Sequence, residues 1–312
     1  MICYPVVIPT LNRYDHVKRL IESLAQNSHA KETVLVIGLD YPPTEKYVEG
    51  WAKLKEYLPT ITGFKDVVIF YAKENLGAGG NLGVLVDYVK SLGYDAYIYT
   101  EDDNEFSPCF LDYMNKALLM FKNDKRVISV SGYTWDHIDI QSKKSVMLVS
   151  GMSAWGLGIW FNKEAWPGID YFFNILGSFR KSLCCAIKIP SAFSVLLEMI
   201  RKGDEYGDAM SAVYCLIDNK YELMPTYSLV RNWGDDGSGL HCGTESRNHQ
   251  KVISEAQFFD LDEVDFTSDC NPYRRNVSKV KQGLRIIKTV LYYLSTRLNL
   301  KKYKKLYSKD LI

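Results

Sequence analysis

The sequence of 312 residues predicts an α/β fold, with a mostly parallel central sheet covered by helices on both faces. In the first hundred residues, short apolar runs alternate with segments whose apolar residues recur at helical spacing. Polar residues follow directly after these runs, where the carboxyl ends of parallel strands would lie. The length suits one large domain, or one domain with a tail.

The first half alternates regularly between strand and helix. Val17, Leu20 and Leu24 have the spacing of one helical face, whereas β-branched runs indicate strands. In order, we predict strand 6–8, helix 13–26, strand 33–39, helix 47–58, strand 67–71, a glycine-rich loop at 76–81, a helix to about residue 92, and strand 96–99.

The second half has a more mixed pattern. Gly156 and Gly158 lie beside Trp155, and rings next to flexible backbone can line a ligand pocket, although we expect core packing for Trp160 and Trp166. The predicted elements are strands 127–130, 146–149 and 223–230, helical stretches from 162–166 and over 171–203, and a helical C-terminal tail.

Charge is distributed unevenly along the chain, although the net charge is only +1. Residues 1–273 contain 26 basic and 36 acidic residues, whereas residues 274–309 contain twelve basic residues and no acidic one. We therefore predict a main domain at 1–273 and a basic tail at 274–312. The acidic main domain argues against a nucleic-acid partner, and the basic tail favours anionic lipid headgroups.

Cysteine usage and hydropathy indicate the compartment. The seven cysteines are an odd number with irregular spacing and no CxxC pair, so we expect reduced thiols and no zinc site. No charged leader precedes the first strand, and no apolar run reaches the ~18–20 residues that span a bilayer. We expect a cytoplasmic protein, or one held peripherally at the inner face of the plasma membrane.

Polar residues at four strand ends predict a nucleotide site. They are Thr10 with Arg13, Asp40, the glycine-rich loop, and the triplet at 101–103. The glycine-rich loop has neither GxGxxG nor GK[ST], so it is neither a dinucleotide fingerprint nor a P-loop. Asn81, at the start of the helix after it, could reach the nucleotide or its pyrophosphate.

Three adjacent carboxylates, Glu101, Asp102 and Asp103, follow the fourth strand directly. They repel one another, so a cation is expected among them. Mg²⁺ or Mn²⁺ takes oxygen ligands and would bridge a diphosphate, neutralising charge on the leaving group. The alternative is a solvated acidic turn or a helix N-terminus that collects acids.

Two further segments carry candidate reactive side chains. Asp208 precedes an apolar helical run, where it could accept a proton from an attacking hydroxyl or serve as the helix N-cap. His241 ends a glycine-rich stretch from Gly234, whose backbone could approach a phosphate closely. His241 would then meet the metal, a phosphate or a sugar; the alternative is a flexible surface loop.

Taken together, these segments resemble the GT-A fold glycosyltransferases over roughly residues 4–243. The segment from Val7 to Arg13 is similar to the opening strand and turn of the family 2 enzymes. The order of the later motifs resembles the N-acetylglucosaminyltransferase I family and its bacterial relatives in polysaccharide synthesis. Those motifs are Glu101-Asp102-Asp103, Gly156-Leu157-Gly158, Tyr206-Gly207-Asp208-Ala209-Met210 and Gly237-Ser238-Gly239-Leu240-His241.

The resemblance implies an inverting transfer of a sugar from a nucleotide-sugar, with UDP as its nucleotide, to a hydroxyl of a glycan or lipid-linked saccharide. It implies Mn²⁺ or Mg²⁺ as cofactor, a nucleotide-binding half at 1–103, and a half for donor sugar and acceptor at 104–273. The implied roles are donor contacts for Thr10, Arg13, Asp40, Asn81 (where the family has a histidine), Glu101, Asp102 and Gly156, metal ligation by Asp103, base catalysis by Asp208, and a diphosphate or metal contact for His241.

Two other functions stay open. A sugar-1-phosphate nucleotidyltransferase has a similar sheet, but those enzymes carry a GxGTR…K loop after the first strand, where this chain has residues 9–13 without glycine. A non-catalytic module that binds sugar nucleotides is the other alternative. Such a module would not need intact carboxylates at 101–103 and 208, so their presence argues against it.

The basic tail also has two interpretations. Residues 279–305 carry apolar side chains at helical spacing, such as Leu284, Ile287 and Leu291, with Lys and Arg between them. Such a helix could lie in an anionic membrane interface, near a lipid-linked acceptor. It could equally dock on the main domain with a solvated basic end.

Overall fold

The computed structural model describes residues 2–135, 144–163, 167–204, 207–238, 259–265 and 278–307. Its strands are β1 (Val6–Thr10), β2 (Val34–Leu39), β3 (Asp66–Tyr71), β4 (Ala96–Tyr99), β5 (Asn104–Phe106), β6 (Val127–Ser131), β7 (Val146–Val149), β8 (Leu157–Trp160), β9 (Tyr221–Pro225), β10 (Val230–Asn232) and β11 (Val264–Asp265). Its α-helices are α1 (Tyr14–Ala25), α2 (Val48–Tyr57), α3 (Gly77–Ser91), α4 (Phe110–Phe121), α5 (Ile169–Gly177), α6 (Phe179–Lys188), α7 (Pro190–Lys202), α8 (Gly207–Asp218), α9 (Lys279–Leu298) and α10 (Leu300–Lys304).

Nine of these strands form one sheet, in the order β11-β7-β9-β6-β8-β4-β1-β2-β3. The pairs β1–β2, β2–β3, β1–β4, β6–β9 and β7–β11 are parallel, and the other three pairs are antiparallel. Strand β8 runs antiparallel between β4 and β6, so it joins the first parallel group of strands to the second. A small second sheet pairs β5 with β10.

Helices cover both faces of the large sheet, because successive side chains of a strand point to opposite faces. In β1, Val6 and Ile8 belong to a core with residues of α1, α2 and α4. Val7, between them, belongs to another core with Leu85 and Val89 of α3. The predicted fold class, a mostly parallel central sheet with helices on both faces, is confirmed.

A further hydrophobic core consists of helices alone. It contains buried residues of α5, α6, α7 and α8, together with Tyr293 of α9 and Tyr303 of α10. α7 packs against both α8 and α9. The C-terminal helices therefore share a core with the helix that carries Asp208. The proposed domain boundary at residue 273 stays a prediction.

The glycine-rich loop predicted at 76–81 is instead largely helical, because α3 begins at Gly77. Glycine disfavours helices, but Leu85 and Val89 bury one side of α3 against the sheet, and this packing decides the local structure. Asn81 consequently lies in the second turn of the helix and not at its start. Gly77 has φ +70°, a backbone conformation that favours glycine.

Residues 157–160 form the buried central strand β8, which the sequence analysis did not predict; it had left a pocket wall around Gly156 and Gly158 as one interpretation. Trp160 packs in the core, as expected, and its indole nitrogen donates to the Leu118 carbonyl at 3.0 Å. Trp166 lies outside the described residues. The predicted helical stretch 171–203 is divided among α5, α6 and α7, and the predicted strand 223–230 is divided between β9 and β10.

Candidate active site

The parallel pairing of the first strands brings their polar ends to one edge of the sheet. β1 pairs in parallel with both β2 and β4, so Thr10, Asp40 and the carboxylates at 101–103 all leave the sheet in the same direction. The Thr10 hydroxyl donates to Asp102 Oδ2 at 2.7 Å. The predicted grouping of Thr10 with the acidic triplet is thus present in the structure.

Arg13 lies among the carboxylates. At the N-terminus of α1, its guanidinium donates to Asp102 and, at 2.6 Å, to Asp103 Oδ2. The side chains of Arg13, Asp102 and Asp103 are 18%, 7% and 6% exposed, so the three charges meet largely out of water. Arg13 therefore supplies positive charge to the acidic triplet.

The small second sheet brings a residue that the sequence did not single out, Asn232. Its amide donates to Asp103 Oδ1 at 2.6 Å and to Asn104 Oδ1 at 3.0 Å. The Trp233 backbone N–H donates to the Asp103 carbonyl at 2.9 Å. A Cβ at Gly234 would collide with Asp103, so this close approach requires glycine. The feature of the sequence that could have indicated Asn232 is the polar run after the predicted strand 223–230.

Asp208 lies in the first turn of α8 and is exposed to solvent. Desolvation by the surrounding protein nevertheless raises the pKa of its carboxyl to about 6. The protein around Asp208 therefore disfavours the charged form of its carboxyl, although the side chain reaches solvent.

Glu101 shares the environment of Asp208. Burial raises the pKa of the Glu101 carboxyl to about 8, and the charges of Asp103, Asp208 and Asp102 contribute to the rise. Burial also raises the pKa of Tyr99, the last residue of β4, and the same four carboxylates add to it. Asp208 therefore lies near enough to the strand-end carboxylates to repel them, although 105 residues separate it from Asp103.

Glu222 is another residue that the sequence analysis did not identify. It is fully buried in β9, where it accepts hydrogen bonds from the Ser129 hydroxyl at 3.0 Å and the Ser153 backbone N–H at 3.1 Å. Burial raises the pKa of its carboxyl well above the usual range, and the charge of Asp208 adds to this shift. The only feature of the sequence that could have indicated Glu222 is the presence of an acidic residue inside an otherwise apolar strand.

Asp40 holds the two loops beside it together. Its Oδ1 accepts hydrogen bonds from the backbone N–H groups of Tyr41 at 2.8 Å and Leu76 at 2.9 Å. Its Oδ2 accepts one from the Asn75 side chain at 3.1 Å. Asp40 thus lies at the predicted edge of the sheet and fixes the loop before α3, with Asn75 as a partner that the sequence analysis missed.

Two predicted donor-binding residues have clear packing roles. The Asn81 amide donates to the Gly38 carbonyl of β2 at 2.9 Å, and its Oδ1 also faces Gly38, so both ends of the side chain face the sheet. Gly156 has φ +67°, and a Cβ there would lie 2.8 Å from the Phe110 ring. Asn81 joins α3 to β2, and Gly156 allows the turn into β8. His241 lies outside the described residues.

The edge of the sheet offers the donor type that a divalent cation takes. Glu101, Asp103 and Asp208 carry carboxylate oxygens, the ligands that Mg²⁺ and Mn²⁺ prefer, and the charges of Asp103, Asp208 and Asp102 contribute to the raised pKa of Glu101. In the part of the chain that the structure describes, no group of three His, Cys, Asp or Glu residues is arranged to hold a metal ion. Both Asp103 oxygens accept hydrogen bonds, from Arg13 and Asn232.

No model of a known protein family matches the chain, and no curated protein matches it. Among solved structures, the chain is similar to a mannosyltransferase from Pyrobaculum calidifontis in complex with GDP-Man and Mn²⁺, with 13% identity, a TM-score of 0.37, and coverage of 56% of this chain and 51% of that one. It is similar to S. aureus TarS, with 11% identity, a TM-score of 0.36, and coverage of 75% and 37%. A cytidylyltransferase from Leptospira borgpetersenii has 11% identity, a TM-score of 0.30, and coverage of 51% and 60%. The chain spans about half the length of the mannosyltransferase.

We predict that Arg13→Gln lowers the free energy of unfolding by about 3–5 kcal/mol, because it leaves two buried carboxylates without their cation. Arg126→Gln is the control. Arg126 pairs with Asp124 while its own side chain is 57% exposed, so its loss is expected to change stability by less than about 1 kcal/mol. Urea unfolding measures both variants, and equal losses in the two would contradict the structural importance of Arg13.

Proposed function

We propose that this chain is an inverting glycosyltransferase of the GT-A type, which moves a sugar from a UDP-sugar to an acceptor hydroxyl. One observation carries the proposal: Asp208, an accessible carboxylate with a raised pKa, lies beside the acidic strand end that Arg13 holds in place. An inverting transfer has two tasks. The Asp208 carboxylate suits the first, which is to deprotonate the acceptor, and the acidic strand end suits the second, which is to release the nucleoside diphosphate.

The donor would bind along the edge of the sheet. Thr10, Arg13 and Asp40 lie at the ends of β1 and β2, where nucleotides bind in open parallel sheets, and Asp40 would contact the base. Glu101 and Asp102 would contact the donor sugar or the ribose.

Asp103 is our proposed ligand for Mn²⁺ or Mg²⁺, and His241 would contact the metal or the diphosphate. The ion, when bound, supplies charge neutralisation for the departing diphosphate. Arg13 and Asn232 orient the Asp103 carboxylate by hydrogen bonds to its two oxygens. Each Asp103 oxygen accepts one of these hydrogen bonds and retains a second lone pair that could bind the ion.

Asp208 would act as the base. With a pKa of about 6, its carboxyl is mostly ionised at neutral pH, yet it is a stronger base than an ordinary aspartate. Its carboxylate would take the proton of the acceptor hydroxyl as the oxygen attacks the anomeric carbon of the donor, and the bond to the diphosphate breaks on the opposite face. The resemblance suggests a glycan or lipid-linked acceptor in bacterial surface polysaccharide synthesis.

The alternative of a sugar-1-phosphate nucleotidyltransferase is less well supported by the site. Such an enzyme needs positive charge after the first strand to hold a nucleoside triphosphate. Here the basic residue after β1, Arg13, is already paired with Asp102 and Asp103. Formation of nucleotide-sugar from a sugar phosphate and a nucleoside triphosphate would favour this alternative. The absence of both sugar transfer and donor hydrolysis across a panel of donors would favour a non-catalytic binding module.

We predict that Asp208→Asn lowers the transfer rate about 10²–10⁴-fold while leaving UDP binding intact, because only proton acceptance is lost. The rate is measured with a panel of UDP-sugars, and binding by the thermal shift that UDP with Mn²⁺ produces. Asp87→Asn, at an exposed position of α3, is the matched control. Transfer by Asp208→Asn at the rate of the unmodified chain would contradict the assignment of the base.

A second prediction concerns pH. The Asp208 carboxyl must be ionised to accept a proton, so the turnover number should fall about tenfold per pH unit below its pKa of about 6 and level off above it. An ordinary aspartate would place this limb about two units lower. A turnover number that stays constant down to pH 5 would contradict the raised pKa, or the role of Asp208 as the base.

A further inference from the structure

Helix α9 exposes an apolar stripe to solvent. Six of its apolar residues are between 40% and 87% exposed. They recur every three or four positions, so they lie on one side of the helix and extend for about 27 Å at 1.5 Å per residue. The exposed stripe consists of Val280, Leu284, Ile287, Leu291, Leu294 and Leu298.

The other side of α9 is docked on the protein, so the exposure of the stripe is not the exposure of a detached helix. Thr289, Tyr293 and Thr296 are buried. The Thr289 hydroxyl lies 2.8 Å from the Ser194 hydroxyl of α7, and the Tyr293 hydroxyl donates to the Leu176 carbonyl of α5 at 3.1 Å. Helix α9 therefore docks through one face and presents its apolar stripe on the other, so docking leaves the membrane interpretation of the tail open.

Basic residues border the exposed stripe. Lys281 and Lys288 are exposed, and their positions on the helix lie about a quarter turn or slightly more from the stripe. Lys301 and Lys302 are exposed beyond its C-terminal end. Residues 278–307 contain nine Lys and Arg and no Asp or Glu. A partner that complements this surface presents apolar groups to the stripe and anionic groups to the basic residues beside it.

We propose that α9 lies in the plane of an anionic bilayer surface, with its apolar stripe among the acyl chains and its Lys residues at the headgroups. This combination is typical of interfacial helices. A protein partner is a poorer match, because lysine is depleted in protein–protein interfaces. Among the described residues, no helix has the length and apolarity to cross a membrane.

The attachment also orients the candidate active site. α7 packs against both α9 and α8, and Asp208 lies in the first turn of α8. A docked α9 therefore fixes the direction of the base-bearing helix relative to the bilayer. This last step rests on the proposed function, and it favours an acceptor carried by a lipid in the same membrane; the binding itself does not depend on it.

The test is flotation of the full chain with vesicles of phosphatidylcholine alone, or of phosphatidylcholine with phosphatidylglycerol, without donor or acceptor. The double variant Ile287→Glu/Leu291→Glu changes two residues that are 58% and 62% exposed. The matched control is Val48→Glu/Met120→Glu, at positions that are 44% and 45% exposed outside α9. Circular dichroism and the thermal midpoint verify that each variant is folded.

We expect the unmodified chain and the control to float with anionic vesicles and not with neutral ones, and the stripe variant to bind anionic vesicles at least tenfold more weakly. Raising the salt concentration should weaken binding, because headgroup attraction is screened. Absence of binding to anionic vesicles, or equal binding by the stripe variant, would overturn the proposal. So would a dimer in sedimentation that the stripe variant abolishes, since the occupant would then be a second copy. Because no turnover is measured, these results are independent of the proposed transferase activity.

Discussion

The candidate site depends on the balance between one guanidinium and a group of carboxylates. Arg13 offsets the charge of Asp102 and Asp103, which are nearly buried and would be strongly destabilising without it. Burial raises the pKa of both Glu101 and Asp208, and the neighbouring carboxylates add to the rise at Glu101. The edge of the sheet therefore holds one guanidinium close to four carboxyl groups.

The topology explains how distant parts of the chain meet at this edge. Parallel strands β1, β2 and β4 end together, so their polar residues need only follow each strand directly. Strand β8 then links these strands to β6 and β9, and β10 pairs with β5 directly after the acidic triplet. In this way Asn232 and Gly234 reach Asp103, although they are far from it in sequence.

The sequence was most informative where local periodicity decides the structure. Strand 96–99 was predicted with its observed bounds, and the other early elements to within a few residues, because their apolar spacing matches one face of a helix or a buried strand. The grouping of Thr10 and Arg13 with the acidic triplet could be predicted because strand ends alone specify their position. Strand β8 was missed, since Gly156 and Gly158 resemble a loop, and the close packing of Gly158 against α4 is what suits it to a strand.

Long-range contacts set the limits of that prediction. Asn232 and Glu222 acquire their meaning from partners about 70 to 130 residues away, which no spacing rule reveals. Asn81 was predicted to face a ligand, yet its amide is hydrogen-bonded to β2 because α3 begins earlier than expected. Helix α9 is a further case in which long-range packing decides the structure. Its polar and aromatic side is buried against other helices, whereas its most regular apolar stripe is exposed.

The most direct test of the account is a crystal of the chain soaked with UDP and Mn²⁺, with diffraction recorded at the manganese absorption edge. We predict an anomalous peak within coordinating distance of the Asp103 carboxylate, bridging it to the diphosphate, with the base of the nucleotide beside Asp40. A metal-free edge, with the nucleotide bound elsewhere on the molecule, would contradict the central claim.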